Sequence, residues 1–221
     1  MRMIEQSYQI LTAISDGAVD ELKLIEAAGR TCYKSEDRIT ADGESAKKFV
    51  AMLIRNHHEA MLEHSLLSVR FICDRGVSHE LVRHRVAAYA QESTRYCNYT
   101  QDKFGSEITV IKPVWYDGAN GASQMAFDTI CTAAEGAYDV ALCDGLKPQD
   151  ARTVLPTALK TELVVSANYR EWRHIFQLRT AKTAHPQVRA LLIPLLNELK
   201  NESLLYSMTL LWRNDHGRSK I

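Results

Sequence analysis

The chain has 221 residues, 46% hydrophobic and 24% charged, which suffices for a substantial buried core and excludes disorder as the main state. Its 27 Lys and Arg balance 27 Asp and Glu, so no global positive field draws it to nucleic acid or to an anionic membrane. Any anion site must be local. Residues 7–14 predict a strand, and Val19, Leu22, Leu24 and Ile25 supply the apolar face of a helix over about 18–28. After the polar loop KSEDRITADGES, Phe49, Met52, Leu53 and Ala60 recur near helical spacing and predict a helix over about 44–61.

Over residues 65–73, Leu67, Val69, Phe71 and Cys73 alternate with Ser68, Arg70 and Ile72, the period-two pattern of a strand. The turn Asp74-Arg75-Gly76 leads into a short helix over roughly 77–87, and a loop carrying Gln91 to Tyr99 follows. Residues 108–114 predict a weaker strand, 122–142 an Ala-rich helix, and PQDARTVLP a short helix stopped by Pro156. Residues 162–167 then predict a strand, 169–180 a helix, and Pro186 opens the last long helix at a favoured first-turn position. Strands separated by helices predict an α+β fold, a mixed or antiparallel sheet flanked by helices, rather than a doubly wound one. Neither a repeat nor a Pro/Gly-rich linker divides the chain, so residues 1–221 read as a single domain.

The longest uninterrupted apolar run, over 190–196, has seven residues against the ~20 needed to cross a bilayer. The N-terminal MRMIEQSYQILTAISDG lacks the small-residue cleavage site of a signal peptide, and the expected location is the cytoplasm. Five cysteines, an odd number without a CxxC pair, argue against a disulfide framework or a cysteine zinc site.

Charge is unevenly shared along this neutral chain. Between Pro113 and Asp150, Lys147 is the single cation against six carboxylates, whereas residues 151–189 carry seven cations against Glu162 and Glu171. Five of those seven are Arg, the residue suited to bidentate capture of phosphate or carboxylate. A second basic knot, Arg83-His84-Arg85 with Arg95 further on, is placed to converge with them on a phosphorylated ligand. On a helix, Trp172, Ile175, Phe176 and Arg179 fall on one stripe, and an Arg facing the core needs a partner. An acidic side chain, a ligand phosphate and an acidic heterocycle all satisfy that need.

The most specific stretch is RHRVAAYAQESTRY, in which Arg-His-Arg is followed after seven residues by Ser93, with Arg95 and Tyr96 behind it. This resembles the signature of the flavin-dependent thymidylate synthases, which methylate dUMP to dTMP. The resemblance extends upstream to HHEAMLEHS and downstream to DARTVLP, NYREWRHIFQLR and TAHPQVR, in the family's order. It implies FAD as cofactor, NADPH as reductant and methylenetetrahydrofolate as carbon donor, with tetrahydrofolate released and no Cys nucleophile. It also implies a homotetramer in which the active sites are shared between subunits. Since neither G-x-G-x-x-G nor a Walker A loop occurs, FAD must be held by side chains rather than by a Rossmann turn.

Position by position, the resemblance implies that Arg83, His84 and Arg85 meet FAD, with Ala60, Gln91, Asn168, Arg170 and His174 at further flavin-contacting positions. Glu80, Arg83, Arg152, Arg179 and the loop Gln91-Glu92-Ser93-Thr94-Arg95 match dUMP-binding positions, Ser93 and Arg95 being apt for phosphate. Arg179 matches the Arg that favours ionisation of the uracil ring, and His58 a histidine near the flavin. A guanidinium beside the pyrimidine raises electron density at carbon 5 without a covalent adduct. The chain departs from the family pattern at Ala60, Glu80, Gln91 and His174.

Three other readings bear on the same residues. His57, His58 and His64 lack the HExxH spacing of a zinc site, and no metal is expected. Cys97, close to Arg95, invites a covalent route that the family resemblance does without. Tyr89, Tyr96 and Tyr99 interleave with the first Arg cluster as stacking platforms for RNA would, against which the neutral overall charge argues.

Overall fold

The computed structural model describes residues 1–15, 18–101 and 105–201. In chain order the elements are β1 (Arg2–Ile4), β2 (Ser7–Ile10), α1 (Val19–Tyr33), α2 (Glu44–Arg55), β3 (Leu66–Asp74), α3 (Arg75–Leu81) and β4 (Ala87–Gln91). Then come β5 (Thr109–Ile111), α4 (Gly121–Cys143), α5 (Pro148–Ala151), β6 (Lys160–Asn168), α6 (Tyr169–Arg179) and α7 (Pro186–Asn201). Short 3-10 segments lie at Glu36–Arg38, Glu59–His64 and Arg152–Val154.

Strands β2, β3, β6 and β4 form an antiparallel sheet in that order. Its longest ladder runs from Leu66 opposite Asn168 to Asp74 opposite Lys160. The period-two pattern decides which face is covered: Leu67, Val69, Phe71 and Cys73, with Thr161, Leu163, Val165 and Ala167, are buried. Helices α1, α2, α6 and α7 cover that face with Ile25, Leu53, Trp172, Phe176, Leu192 and Leu195 among others. Trp172 donates its indole N–H to the Leu67 carbonyl at 2.9 Å and stacks on Phe176, so the largest buried side chain leaves no polar atom unmatched. A second cluster, with Ile108, Val110, Cys131, Tyr138 and Leu159, packs α4 near the parallel pair β1 and β5. The architecture is α+β, an antiparallel sheet flanked by helices. Among the described residues no helix is long and apolar enough to cross a membrane.

Several boundaries differ from the sequence pattern for local reasons. Strand β2 ends at Ile10 rather than at residue 14, because the Leu11 and Thr12 N–H groups both turn to the Ser68 carbonyl while Thr12 Oγ1 accepts from Ser68 N–H at 2.8 Å. The helix expected over 44–61 stops at Arg55: His57 takes φ +57°, and the chain restarts as the 3-10 segment carrying Ala60. The helix expected over 77–87 is shorter, and residues 87–91 form edge strand β4 on β6. Strand β1 gave no sequence signal at three residues. Helix α1 runs on through Gly29 to Tyr33 and closes at Lys34, φ +48°, whose N–H donates to the Arg30 carbonyl.

Gly29 lets α1 and α2 approach closely, since a Cβ there would stand 2.5 Å from Phe49 Cε1 and 3.0 Å from Cζ. Phe49 cannot retreat freely, being buried and held between Arg30 over its ring face and Tyr33 at its edge. Gly29→Ala is therefore expected to destabilise the fold by roughly 1–3 kcal/mol through overpacking. Urea unfolding reads this as a lower midpoint at unchanged slope; equal or greater stability would mean that α1 and α2 are not locked here.

Candidate active site

Both helices that carry the candidate residues begin on the last residue of a strand. Asp74 Oδ1 accepts the Val77 N–H at 2.7 Å to cap α3, and Asn168 Oδ1 accepts the Glu171 N–H at 2.9 Å to cap α6. After α3 the chain turns through Arg83-His84-Arg85 with only the histidine buried, and the two arginines lie exposed on either side. The turn is fixed from β4, where Tyr89 Oη donates to the Leu81 and His84 carbonyls at 2.9 and 2.5 Å. Burial, then the Glu171 carboxylate, pushes the Tyr89 phenol up to about 12, so it stays a donor.

His84 joins the turn to α6. Arg179 Nε donates to His84 Nε2 at 3.0 Å, while His84 Nδ1 stands 3.3 Å from Glu171 Oε1. Arg179 completes its contacts on α3, with Nη1 to Glu80 Oε2 and Nη2 to the Glu80 carbonyl at 2.8 Å. The partner that the core-facing stripe required is thus an acidic side chain together with a neutral imidazole. A guanidinium only donates, so His84 Nε2 must accept and its ring proton sits on Nδ1, toward Glu171. Burial, then the Arg179 charge, then His174 lower the His84 pKa to about 4.

At the other end of β4, Gln91 Nε2 donates to Ser78 Oγ at 3.0 Å and Thr161 Oγ1 at 3.3 Å. Glu92 is held on both oxygens, by Tyr99 Oη at 2.9 Å and Lys160 Nζ at 2.8 Å. Beyond it the two Arg-bearing segments meet as expected. Arg152 Nη1 donates to Thr94 Oγ1 at 3.2 Å, Arg95 Nε to Gln149 Oε1 at 3.2 Å, and Ser93 Oγ accepts the Arg95 N–H. Arg95 and Arg152 are exposed, their guanidinium groups presented to solvent.

A third group gathers at the start of α6. Arg170 pairs with Glu63 at 2.5 Å and Arg173 with Glu59 at 3.2 Å, tying α6 to the 3-10 segment that carries Ala60. His58 precedes that segment, exposed, with Nδ1 3.2 Å from Tyr33 Oη. His174 is also exposed, its ring edge-on to His84 at 5.6 Å. Arg170 thus lies in the first turn of the 11-residue helix α6, whose N-terminus Asn168 caps, and His174 stands one turn further along it.

A family model described as thymidylate synthase complementing protein matches residues 15–203, which include every one of these positions. This chain belongs to the flavin-dependent thymidylate synthase family. Relatives bearing that name include one from Geobacter sulfurreducens, 32% identical over 184 residues, covering 80% of this chain and 76% of the relative. Another, from Corynebacterium aurimucosum, is 30% identical over 200 residues, 86% of this chain and 80% of its own. A third, from Mycobacterium marinum, is 32% identical over 190 residues, with shares of 80% and 74%.

Two features adjoin this family site. His84, Glu171 and His174 offer ligand atoms within 4.8 Å of one another, a spacing near that of a three-ligand cation site. Arg179 works against that use, since it takes the Nε2 lone pair, leaves the proton on Nδ1 and adds a positive charge beside any dication. A cleft of about 680 Å³ lies on the outer face of the sheet, where Arg70, Lys160 and Glu162 share the lining with Gln91 and Glu92. Its central charges are mutually paired, Lys160 bridging Glu92 and Glu162 at 2.8 Å each, and Arg179 belongs to the helix layer on the opposite face.

Glu171, Glu59 and Arg173 were not singled out from the sequence as site residues, and Tyr89 entered only as a stacking platform rather than as the donor that fixes the turn. For Glu171 a signal existed: Asn168-x-x-Glu171 has the spacing of a capping box. Arg173 had only its place in the charge count, and its burial between α6 and Glu59 is tertiary.

The lowered His84 pKa has a measurable consequence. Between pH 6.5 and about 4 the unfolded chain takes up a proton at this position and the native ring does not, so native stability falls as pH drops through that window. The full shift corresponds to roughly 3 kcal/mol. Urea midpoints of the native chain and of His84→Gln, followed from pH 7 to 4, are expected to show a shallower loss in the variant; equal slopes would mean that His84 is not held neutral.

Proposed function

We propose that this protein catalyses the reductive methylation of dUMP to dTMP, taking the carbon from 5,10-methylenetetrahydrofolate and the reducing equivalents from NADPH through FAD, and releasing tetrahydrofolate. The observation that carries this reading is the Arg83-His84-Arg85 turn locked onto Arg179, in a chain belonging to the flavin-dependent thymidylate synthase family. FAD, when bound, supplies hydride chemistry that no side chain can. The residues present fit it: Arg83 and Arg85 are exposed on either side of buried His84, exposed His174 stands edge-on to His84, and Arg170 lies exposed in the first turn of α6, a set of donors that suits a pyrophosphate. Asn168 caps α6 and Ala60 lies on the 3-10 segment tied to that helix, while Gln91 stands at the far end of β4.

In this reading Ser93, Thr94, Arg95 and Arg152 hold the dUMP phosphate, the two exposed guanidinium groups pairing with its oxygens. Arg179 lies beside the pyrimidine and stabilises negative charge spread over the ring, so that carbon 5 becomes nucleophilic without a cysteine adduct. Cys97, half-buried against the second core cluster, has no step to perform. His58, at the exposed start of the 3-10 segment, assists the folate or hydride step.

The working unit is a homotetramer of single-domain subunits in the cytoplasm. In support, β4 sets the Arg83-His84-Arg85 turn and the Ser93-Arg95 loop at its two ends, roughly 16 Å apart for five residues. A second copy that brings one chain's loop to another chain's turn closes that gap.

The test is release of tritium from dUMP labelled at carbon 5, with FAD and methylenetetrahydrofolate present, oxygen excluded, and NADPH added or omitted. Release that requires both FAD and NADPH is expected; protein that binds FAD and releases no tritium would refute the reading. Arg179→Ala is expected to lower kcat at least 100-fold while changing the dUMP Kd less than about fivefold. Arg95→Ala and Arg152→Ala are expected to raise the dUMP KM roughly 10- to 100-fold with kcat largely kept. Loss of turnover in Cys97→Ala with dUMP and FAD binding intact would instead establish a covalent route.

A further inference from the structure

Arg179 ends α6 with its guanidinium engaged by its own chain along both edges, and Glu80 supplies two of the three acceptors, one from its side chain and one from its main chain. A guanidinium has five N–H groups, so two remain for anything else. The carboxylate matters more than the count. An Arg–carboxylate pair is neutral overall and exerts only a dipole's field on a neighbouring ring, whereas stabilising charge on a pyrimidine needs an unneutralised cation. The two members of the pair differ in freedom: the Arg179 side chain is 18% exposed and that of Glu80 36%. The Glu80 carboxylate has room to turn toward water, while its backbone carbonyl and His84 Nε2 stay where they hold the guanidinium plane.

We propose that the Glu80 carboxylate is a displaceable counter-anion of Arg179, which the carbonyl edge of the incoming pyrimidine replaces at Nη1, so that the Arg179 charge is unmasked only in the substrate complex. Glu80 is then a positioning residue that opposes dUMP rather than a contact that retains it. This rests on the reading of Arg179 as the residue beside the uracil ring. It also accounts for the split expected of Arg179: dUMP gains a hydrogen-bond donor only by ending an ion pair, so little net affinity results, while the exposed cation serves the reaction.

The experiment is a double-mutant cycle on the FAD-loaded enzyme, reading the dUMP Kd by calorimetry and carbon-5 tritium release in the same preparations. Glu80→Gln keeps an acceptor for Nη1 and removes the charge; it is expected to tighten dUMP about five- to tenfold when Arg179 is present, and less than twofold when combined with Arg179→Ala. Glu80→Ser, which removes the side chain's reach as well as its charge, must move the Kd in the same direction, and retained flavin absorbance reports that both variants are folded. Weaker dUMP binding in Glu80→Gln, or equal tightening with and without Arg179, overturns the proposal. If Arg179→Ala releases tritium at the native rate, the underlying reading of Arg179 falls and the proposal with it. If Arg179→Ala is inactive and Glu80→Gln does not tighten dUMP, the Glu80 proposal alone is refuted.

Discussion

A guanidinium on the core-facing stripe of a helix has to be neutralised and hydrogen-bonded by whatever the fold places opposite it, because an unmatched buried charge costs several kcal/mol. Arg179 imposes that demand at the end of α6, and the surrounding polar groups answer it. Glu80 meets two N–H groups, His84 is kept neutral so that it can accept the third, and Glu171 receives the remaining imidazole side. The turn that results buries His84 and leaves Arg83 and Arg85 on the outside. A basic tripeptide without these partners would be two solvated charges and a free imidazole; with them it is a shaped surface having one cation behind it and two in front.

The meeting of α3 and α6 depends on the β3–β6 ladder. Asp74 at the end of β3 and Asn168 at the end of β6 each cap the helix that follows, and the ladder puts these two residues at opposite ends of the same strand pair. Both helices then fold back over the one apolar face, Val77 and Leu81 of α3 joining Trp172, Ile175 and Phe176 of α6 in a common core. Glu80 and Arg179 meet because two strands of equal length launch two helices toward each other. The pairing therefore rests on packing accumulated along nine residues of ladder rather than on local preference.

The strands over 66–74 and 160–168 were legible from the sequence because both are half-buried, and covering one face leaves an unbroken period of two. Strand β4 was not. Ala87, Ala88 and Ala90 have neither the bulk nor the branching that marks a strand, and the segment is extended because the β6 edge is there to be paired. The long helix expected over 44–61 carried Ala60 into its stripe, but the break at His57 is a backbone event that side-chain periodicity does not record. Gly29 stayed inside a helix instead of ending it, since what it accommodates is Phe49 from another element.

The sequence by itself determined the class of fold, the neutral overall charge with its local Arg clusters, and the family signature between Arg83 and Tyr96, because each of these is written in residue type and short-range spacing. Only the tertiary structure decided that Arg179 is answered by Glu80 and His84, that Arg152 meets Thr94, and that Glu92 is spent on Tyr99 and Lys160. Those partners lie between 7 and 99 residues apart in the chain. A charge or hydrogen bond acts over a few ångströms of space, and no spacing along the sequence states which distant groups folding will bring within that reach.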